Sequence, residues 1–169
     1  MSDVEIRAER PGDEDAIHEV TTAAFLAAPH TSHTEQFIVR ELRRAGALAV
    51  SLVAEIGGRI VGHVAISPVT IDGAACGWFG LGPVSVLPAH QSMGVGSRLV
   101  REALARLRTT GARGCVLVGE PAYYGRFGFR AEPALVLPDV PPQYFQALSF
   151  VADLPRGIVT FHAAFAAQA

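Results

Sequence analysis

The feature that most constrains the fold is a change of hydrophobic period near residue 90 of the 169-residue chain. Three strand-like runs precede it, at 47–56, 59–71 and 75–87. They are separated by Gly57-Gly58 and Asp72-Gly73, which are sequences typical of tight hairpin turns. After residue 90, apolar residues recur at helical spacing, at Val95, Leu99, Val100, Ala103, Leu104 and Leu107. The pattern predicts an antiparallel meander whose last strand leads into an amphipathic helix.

Further elements surround this meander. Acidic residues after Pro11 favour the start of a helix there, because they interact well with the positive end of its dipole. Cys115–Val118 is predicted to be a buried strand parallel to the third meander strand, since a helix is the usual crossover between parallel strands. The other predictions are a strand over Val4–Ala8, a helix ended by Gly46, a short helix from Pro121 to Arg126 and a strand over 157–165. We expect one domain over 1–169, an α/β fold with a mixed, mostly antiparallel sheet and helices on both faces.

The composition excludes several classes of protein. All 14 basic residues are arginine, so lysine chemistry such as a Schiff base or a P-loop phosphate site is ruled out. The 16 acidic residues give a net charge of −2, which argues against a nucleic-acid partner. Cys76 and Cys115 make neither a disulfide framework nor a metal site. No apolar run reaches the ~20 residues of a membrane span, and the N-terminus lacks a signal-peptide pattern, so we expect a cytoplasmic location without membrane contact.

The junction between the third strand and the helix has the pattern of an anion site. Gly94 and Gly96 allow the backbone to approach a ligand closely, and the first helical turn offers free N–H groups at its positive end. Arg98 is placed to add a charged contact. A dinucleotide fingerprint would need a third glycine, and Leu99 stands in its place. A plain glycine-containing turn is the alternative.

These residues resemble a known family. Gln91-Ser92-Met93-Gly94-Val95-Gly96 is similar to the Q/R-x-x-G-x-G/A motif of the GNAT-type N-acetyltransferases, and Val84–Pro88 resembles the strand that precedes it. Leu81-Gly82-Pro83 and the block from Pro121 to Phe129 resemble the YhbS-like subgroup. The resemblance is strongest over 4–135, and 136–169 is a more weakly similar C-terminal strand region.

The resemblance implies acetyl-CoA as co-substrate and direct attack by an amine in a ternary complex. The motif N–H groups would hold the pyrophosphate, and the preceding strand would pair with the pantetheine arm where it splays from the Cys115–Val118 strand. An N–H near Val86 would polarise the thioester carbonyl. The implied coenzyme-binding residues are Val84, Ser85, Val86, Gln91, Ser92, Met93, Gly94, Val95, Gly96 and Ser97.

The family uses a tyrosine four residues before a Gly-Phe pair to protonate the leaving thiolate, and here that residue is Tyr124. Tyr123 is expected to be a packing residue. Glu120 is the candidate base, with a helix-start acid as the alternative reading. His30 and His33, between the first two helices, are further candidates for a base or an acceptor contact.

The acceptor is expected to be a small-molecule or protein amine. Trp78 and Phe79 are candidates for the walls of its pocket, and an ordinary place in the core is the alternative. Two other functions stay open: a non-catalytic acyl-CoA-binding module, and an acyltransferase with a different acyl chain or acceptor. A homodimer through the C-terminal strands is expected from the family alone.

Overall fold

The structure is a computed structural model that describes residues 3–29 and 31–169. The meander and the helix after it are confirmed. The elements along the chain are β1 (Val4–Ala8), α1 (Glu14–Leu26), α2 (Glu35–Arg44), β2 (Val50–Ile56), β3 (Arg59–Ile71), β4 (Ala74–Val86), α3 (Val95–Thr109), β5 (Gly114–Val118), α4 (Pro121–Tyr124), β6 (Arg130–Ala131), β7 (Leu135–Val136), β8 (Phe145–Ser149) and β9 (Gly157–Thr160).

The strands form one mixed sheet in the order β1-β2-β3-β4-β5-β8-β6, and β9 joins the far end of β3 and pairs with β7. Every neighbour along that main order is antiparallel except β4 and β5, which are parallel as predicted. Both hairpin turns use positive φ: Asp72 and Gly73 lie at 50° and 79°, and Gly57 and Gly58 at 56° and 81°. This is the conformation that the favoured two-residue hairpin turn needs.

Helices cover both faces of the sheet because side chains alternate along its strands. Leu52 of β2 packs in the core beneath α3, whereas its neighbour Val53 packs in a second cluster with Ile17 of α1 and Val39 of α2. The apolar face predicted for α3 is buried in the first of these clusters. The sheet is therefore the middle layer of three.

The parallel pair β4 and β5 separates part-way along its length. Trp78, Phe79 and Gly80 pair with residues 114–116, and beyond them β4 pairs only with β3. The separation coincides with a bulge, because Val64 pairs with Val84 while Ile66 pairs with Leu81, which leaves one extra residue on β4. A bulge bends the strand that carries it, and Pro83 has no N–H with which to continue a ladder.

Three predicted boundaries are wrong. The strand expected over 157–165 ends at Thr160, because the chain turns into a short helix in which His162 Nδ1 accepts a hydrogen bond from the N–H of Ala164 (3.0 Å). The first meander run starts at Val50 rather than Ala47, since Ala47 N–H donates to the carbonyl of Leu42. The short helix ends at Tyr124, and one 3₁₀ turn follows it over residues 125–127. Of the two interpretations of Trp78, the place in the core is confirmed, because the residue is only 1% exposed.

Candidate active site

The loop between β4 and α3 presents a run of free backbone donors. None of the N–H groups of residues 92–97 hydrogen-bonds another group in the described part of the chain, and the first bond of α3 runs from Arg98 N–H to the Gly94 carbonyl (3.1 Å). The run is possible because Ser92 and Gly94 adopt φ values of 64° and 83°, which turn the chain sharply before the helix. Six consecutive donors at the positive end of a 15-residue helix form an anion site.

Two side chains of this region do not act as the motif suggested. The Gln91 amide donates to the carbonyl of Val86 (3.0 Å), so it fastens the loop to the end of β4. Arg98 was expected to add a charged contact to the anion, and this prediction is wrong. Its Nη1 donates to the carbonyl of Val4 at the sheet edge (2.8 Å), because α3 turns that position toward β1.

A cavity of about 540 Å³ lies beside these donors. Most of the predicted coenzyme-binding residues line it, and so does Tyr124. Ala24 and Phe25 of α1, with Ala28 just beyond the helix, supply an apolar wall. The predicted residues that line the cavity are Val84, Val86, Gln91, Ser92, Gly94, Gly96 and Ser97.

Three predicted coenzyme-binding residues do not line the cavity. Ser85 points to the opposite face of β4 and is 1% exposed, Val95 is buried in the core, and the Met93 side chain is exposed to solvent. Their backbone groups still belong to the same strand and loop.

The two tyrosines of α4 occupy different environments. The Tyr123 hydroxyl lies 3.4 Å from Ser97 Oγ in the first turn of α3, so it reaches the donor loop and is more than a packing residue. Tyr124 packs its ring on Gly119, where an added Cβ would come within 2.4 Å of it. Burial, and to a smaller extent Tyr123, raises the pKa of Tyr124 to about 12.

The start of α4 is held by residues that sequence reasoning missed. Gln146, buried on β8, donates to the carbonyl of Gly119 (3.0 Å), and the Gly119 N–H donates to the carbonyl of Tyr144 (2.9 Å). These bonds fix the backbone on which Tyr124 rests. The available signal in the sequence was Gly119, a glycine just before the start of a helix. Nothing in the neighbouring sequence indicates that the ring of Tyr124 packs on it.

Glu120 and His33, two of the candidate bases, are not among the residues that line the cavity. Glu120 is exposed at the N-terminus of α4, where its carbonyl accepts the N–H groups of Tyr123 and Tyr124. His33 is exposed between α1 and α2, and His30 lies outside the described residues. Phe79 is partly buried and packs against the core beneath α3.

A polar chain that includes a buried histidine lies under α1 and α2. His63 Nε2 is 2.8 Å from Ser51 Oγ, and Ser51 Oγ donates to Glu9 (2.7 Å), which also binds Arg43. Because a carboxylate only accepts, the Ser51 proton goes to Glu9, and Ser51 accepts the Nε2 proton of His63. Burial lowers the pKa of His63 to about 4, so the ring is neutral.

Taken together, a three-layer α/β fold, a parallel pair that separates and an anion-binding loop at its open end define an acyl-coenzyme A-dependent type of transferase. Residues 5–131 match the family described as an acetyltransferase (GNAT) domain. The chain belongs to the GNAT acetyltransferase family and is an N-acetyltransferase of it.

Relatives support the same assignment. The Escherichia coli N-acetyltransferase YhbS is 37% identical over 125 residues, which span 73% of this chain and 72% of that protein. A Brucella melitensis GNAT acetyltransferase solved with acetyl-CoA is 52% identical, with a TM-score of 0.87 over 96% of this chain and 98% of its own. E. coli YhbS solved with CoA has a TM-score of 0.89 at 31% identity, over 98% of this chain and 93% of its own.

Within residues 3–29 and 31–169, no helix is long and apolar enough to span a bilayer.

Proposed function

We propose that the cavity binds acetyl-CoA and that the chain passes its acetyl group to an amine by direct attack in a ternary complex. The observation that carries this proposal is the run of free N–H groups over 92–97 beside the opening between β4 and β5. The relatives solved with acetyl-CoA or CoA support the choice of coenzyme.

In this proposal the pyrophosphate binds the backbone of residues 91–97, which needs no lysine. The pantetheine arm lies along Val84, Ser85 and Val86, where β4 has lost β5 as a neighbour and its outer edge is free to pair with a ligand. The thioester carbonyl then accepts a hydrogen bond from an N–H near Val86, which stabilises the oxyanion that develops on attack.

Tyr124 is proposed to stabilise the leaving thiolate. Its pKa of about 12 keeps the phenol protonated at neutral pH, so it has a proton with which to donate a hydrogen bond to the sulfur. Full proton transfer to a thiolate of ordinary pKa, ~8.5, would be uphill by roughly 5 kcal/mol. We therefore propose that Tyr124 acts first as a hydrogen-bond donor, and that transfer is completed only as desolvation raises the pKa of the sulfur.

The base role of Glu120 stays a prediction. Its exposed carboxylate is not among the residues that line the cavity, so it would have to act through water. An amine that arrives already deprotonated needs no such residue.

We also propose that residues 1–169 form a single acetyltransferase domain, since β8 pairs with β5 and β9 pairs with β3 of the same sheet. The acceptor is proposed to be a small-molecule or protein amine. A homodimer stays a prediction, with Val136 of β7 and Ile158 of β9 exposed on adjacent strands, and so does the cytoplasmic location.

The test has two parts. Isothermal titration with acetyl-CoA measures binding, and a panel of primary amines, including polyamines, amino acids and peptide N-termini, is assayed for acetylated product. We expect binding and at least one acetylated amine. Binding without any acetylated amine would favour the non-catalytic module, and failure to bind acetyl-CoA would refute the proposal.

Tyr124→Phe tests the mechanism with the best amine from that panel. We expect kcat to fall by about 10²-fold, the lower range for a positioned proton donor, while the Kd for acetyl-CoA stays within about twofold. Tyr144→Phe is the matched control, because Tyr144 lies outside the cavity. A Tyr124→Phe enzyme with full kcat would contradict the assigned role.

A further inference from the structure

Arg126 is the arginine that lines the cavity. It lies in the 3₁₀ turn after α4, and its guanidinium carbon is 4.6 Å from the centre of the Tyr123 ring. None of the ion pairs found among the described residues includes it. Its charge is therefore available to a ligand.

The cavity is built to receive negative charge but has few cations of its own. Among the residues that the structure describes, no acidic residue lines it, and the motif loop contributes neutral N–H groups and His90. The family motif allows arginine where this chain has Gln91, and Gln91 is used on the Val86 carbonyl. Arg98 is used at the edge of the sheet on Val4. Neither side chain supplies a positive charge to a bound anion.

The Arg126 side chain is also held in place by its contact with Tyr123. Stacking on Tyr123 holds the guanidinium plane and lowers the conformational entropy that binding would cost. The hydroxyl of the same tyrosine lies 3.4 Å from Ser97 Oγ, in the first turn of α3. Arg126 is thus held against the tyrosine that touches the first turn of α3.

We propose that Arg126 binds a phosphate group of the coenzyme and supplies the cation that Gln91 and Arg98 do not. This inference rests on the proposed function. A guanidinium offers several N–H donors in a planar fork that matches a phosphate, whereas the backbone loop alone offers no net charge. The phosphate is either in the pyrophosphate or at the 3′ position of the ribose.

The experiment titrates CoA and dephospho-CoA, which lacks the 3′-phosphate, into the wild-type chain and three variants. Arg126→Gln removes the charge, and Arg126→Lys keeps the charge without the fork. Arg130→Gln is the matched control, because Arg130 is four residues away, 81% exposed and paired with Glu132 (2.7 Å) outside the cavity. Circular dichroism and thermal melts confirm that each variant is folded.

We expect Arg126→Gln to weaken CoA binding about tenfold or more, Arg126→Lys to lose less, and Arg130→Gln to stay within about twofold. If the loss disappears with dephospho-CoA, the contact is the 3′-phosphate; if it persists, the contact is the pyrophosphate. Equal CoA affinity for Arg126→Gln and the wild type overturns this inference and leaves the proposed function intact. A wild-type chain that binds no CoA overturns both.

Discussion

His63 makes the stability of this fold depend on pH, and His63→Gln tests that reasoning. The imidazole is fully buried on β3 and is neutral, with its Nε2 proton donated to Ser51. Glutamine can donate the same hydrogen bond through its amide but does not titrate. The substitution therefore removes the ionisation while it keeps the polar contact.

The size of the effect follows from the pKa. Burial lowers the pKa of His63 from 6.5 to about 4; Glu9 opposes this shift and Arg43 adds to it. Because the folded-state pKa is lowered, the unfolded chain binds a proton first as the pH falls. The stability contribution is complete above the unfolded pKa of 6.5 and is lost progressively as the pH falls to about 4. A gap of roughly 2.5 in pKa corresponds to about 3 kcal/mol.

The assay is urea unfolding at pH values between 7 and 4 for the wild type and His63→Gln. We expect the free energy of unfolding of the wild type to fall by about 3 kcal/mol more than that of the variant over this range. Other groups, including Glu9, titrate in both proteins, so their contributions largely cancel in the difference. His33→Asn, an exposed loop substitution, controls for the loss of any histidine. Superimposable pH profiles for wild type and His63→Gln would refute the reasoning.

Two further predictions each compare a pair of residues of the same type in the structure. Gly94→Ala and Gly111→Ala replace glycines that both have φ of +83° and no neighbouring atom near an added Cβ, so each should lose about 1–2 kcal/mol of stability in urea. Only Gly94→Ala should also weaken acetyl-CoA in calorimetry, and equal affinities for the two variants would contradict the loop's role. Iodoacetamide should modify Cys76 but not Cys115 in the native chain, because burial raises the pKa of the Cys115 thiol. Mass spectrometry before and after unfolding reports this, and native labelling of Cys115 would count against its burial.

The parts of the fold that were predicted from sequence are those fixed by local chemistry. Asp72-Gly73 specifies a hairpin because both residues tolerate positive φ, and the apolar period of α3 specifies its buried face. The prediction of a strand over 157–165 was wrong at its C-terminal end, because a local side-chain hydrogen bond at His162 overrides the apolar pattern. The predicted contact between Arg98 and an anion was wrong for a long-range reason. The partner of Arg98 is Val4, 94 residues away in the chain, and this contact is decided only by the packing of α3 against β1.

The same distinction separates the two halves of the candidate site. The proposed coenzyme half is made of backbone N–H groups, whose exposure depends on the φ angles of Ser92 and Gly94 and hence on residue types that can be read in one loop. The apolar wall is made of Ala24 and Phe25 of α1 and of Ala28 just beyond it, and alanine and phenylalanine are also residue types that a helix uses to pack on a sheet. Such a face gives the same sequence pattern whether it covers a core or a cavity. A cavity forms here instead of a core because β4 separates from β5. That separation involves a bulge at Gly82-Pro83 and a strand, β5, that lies more than thirty residues further along the chain.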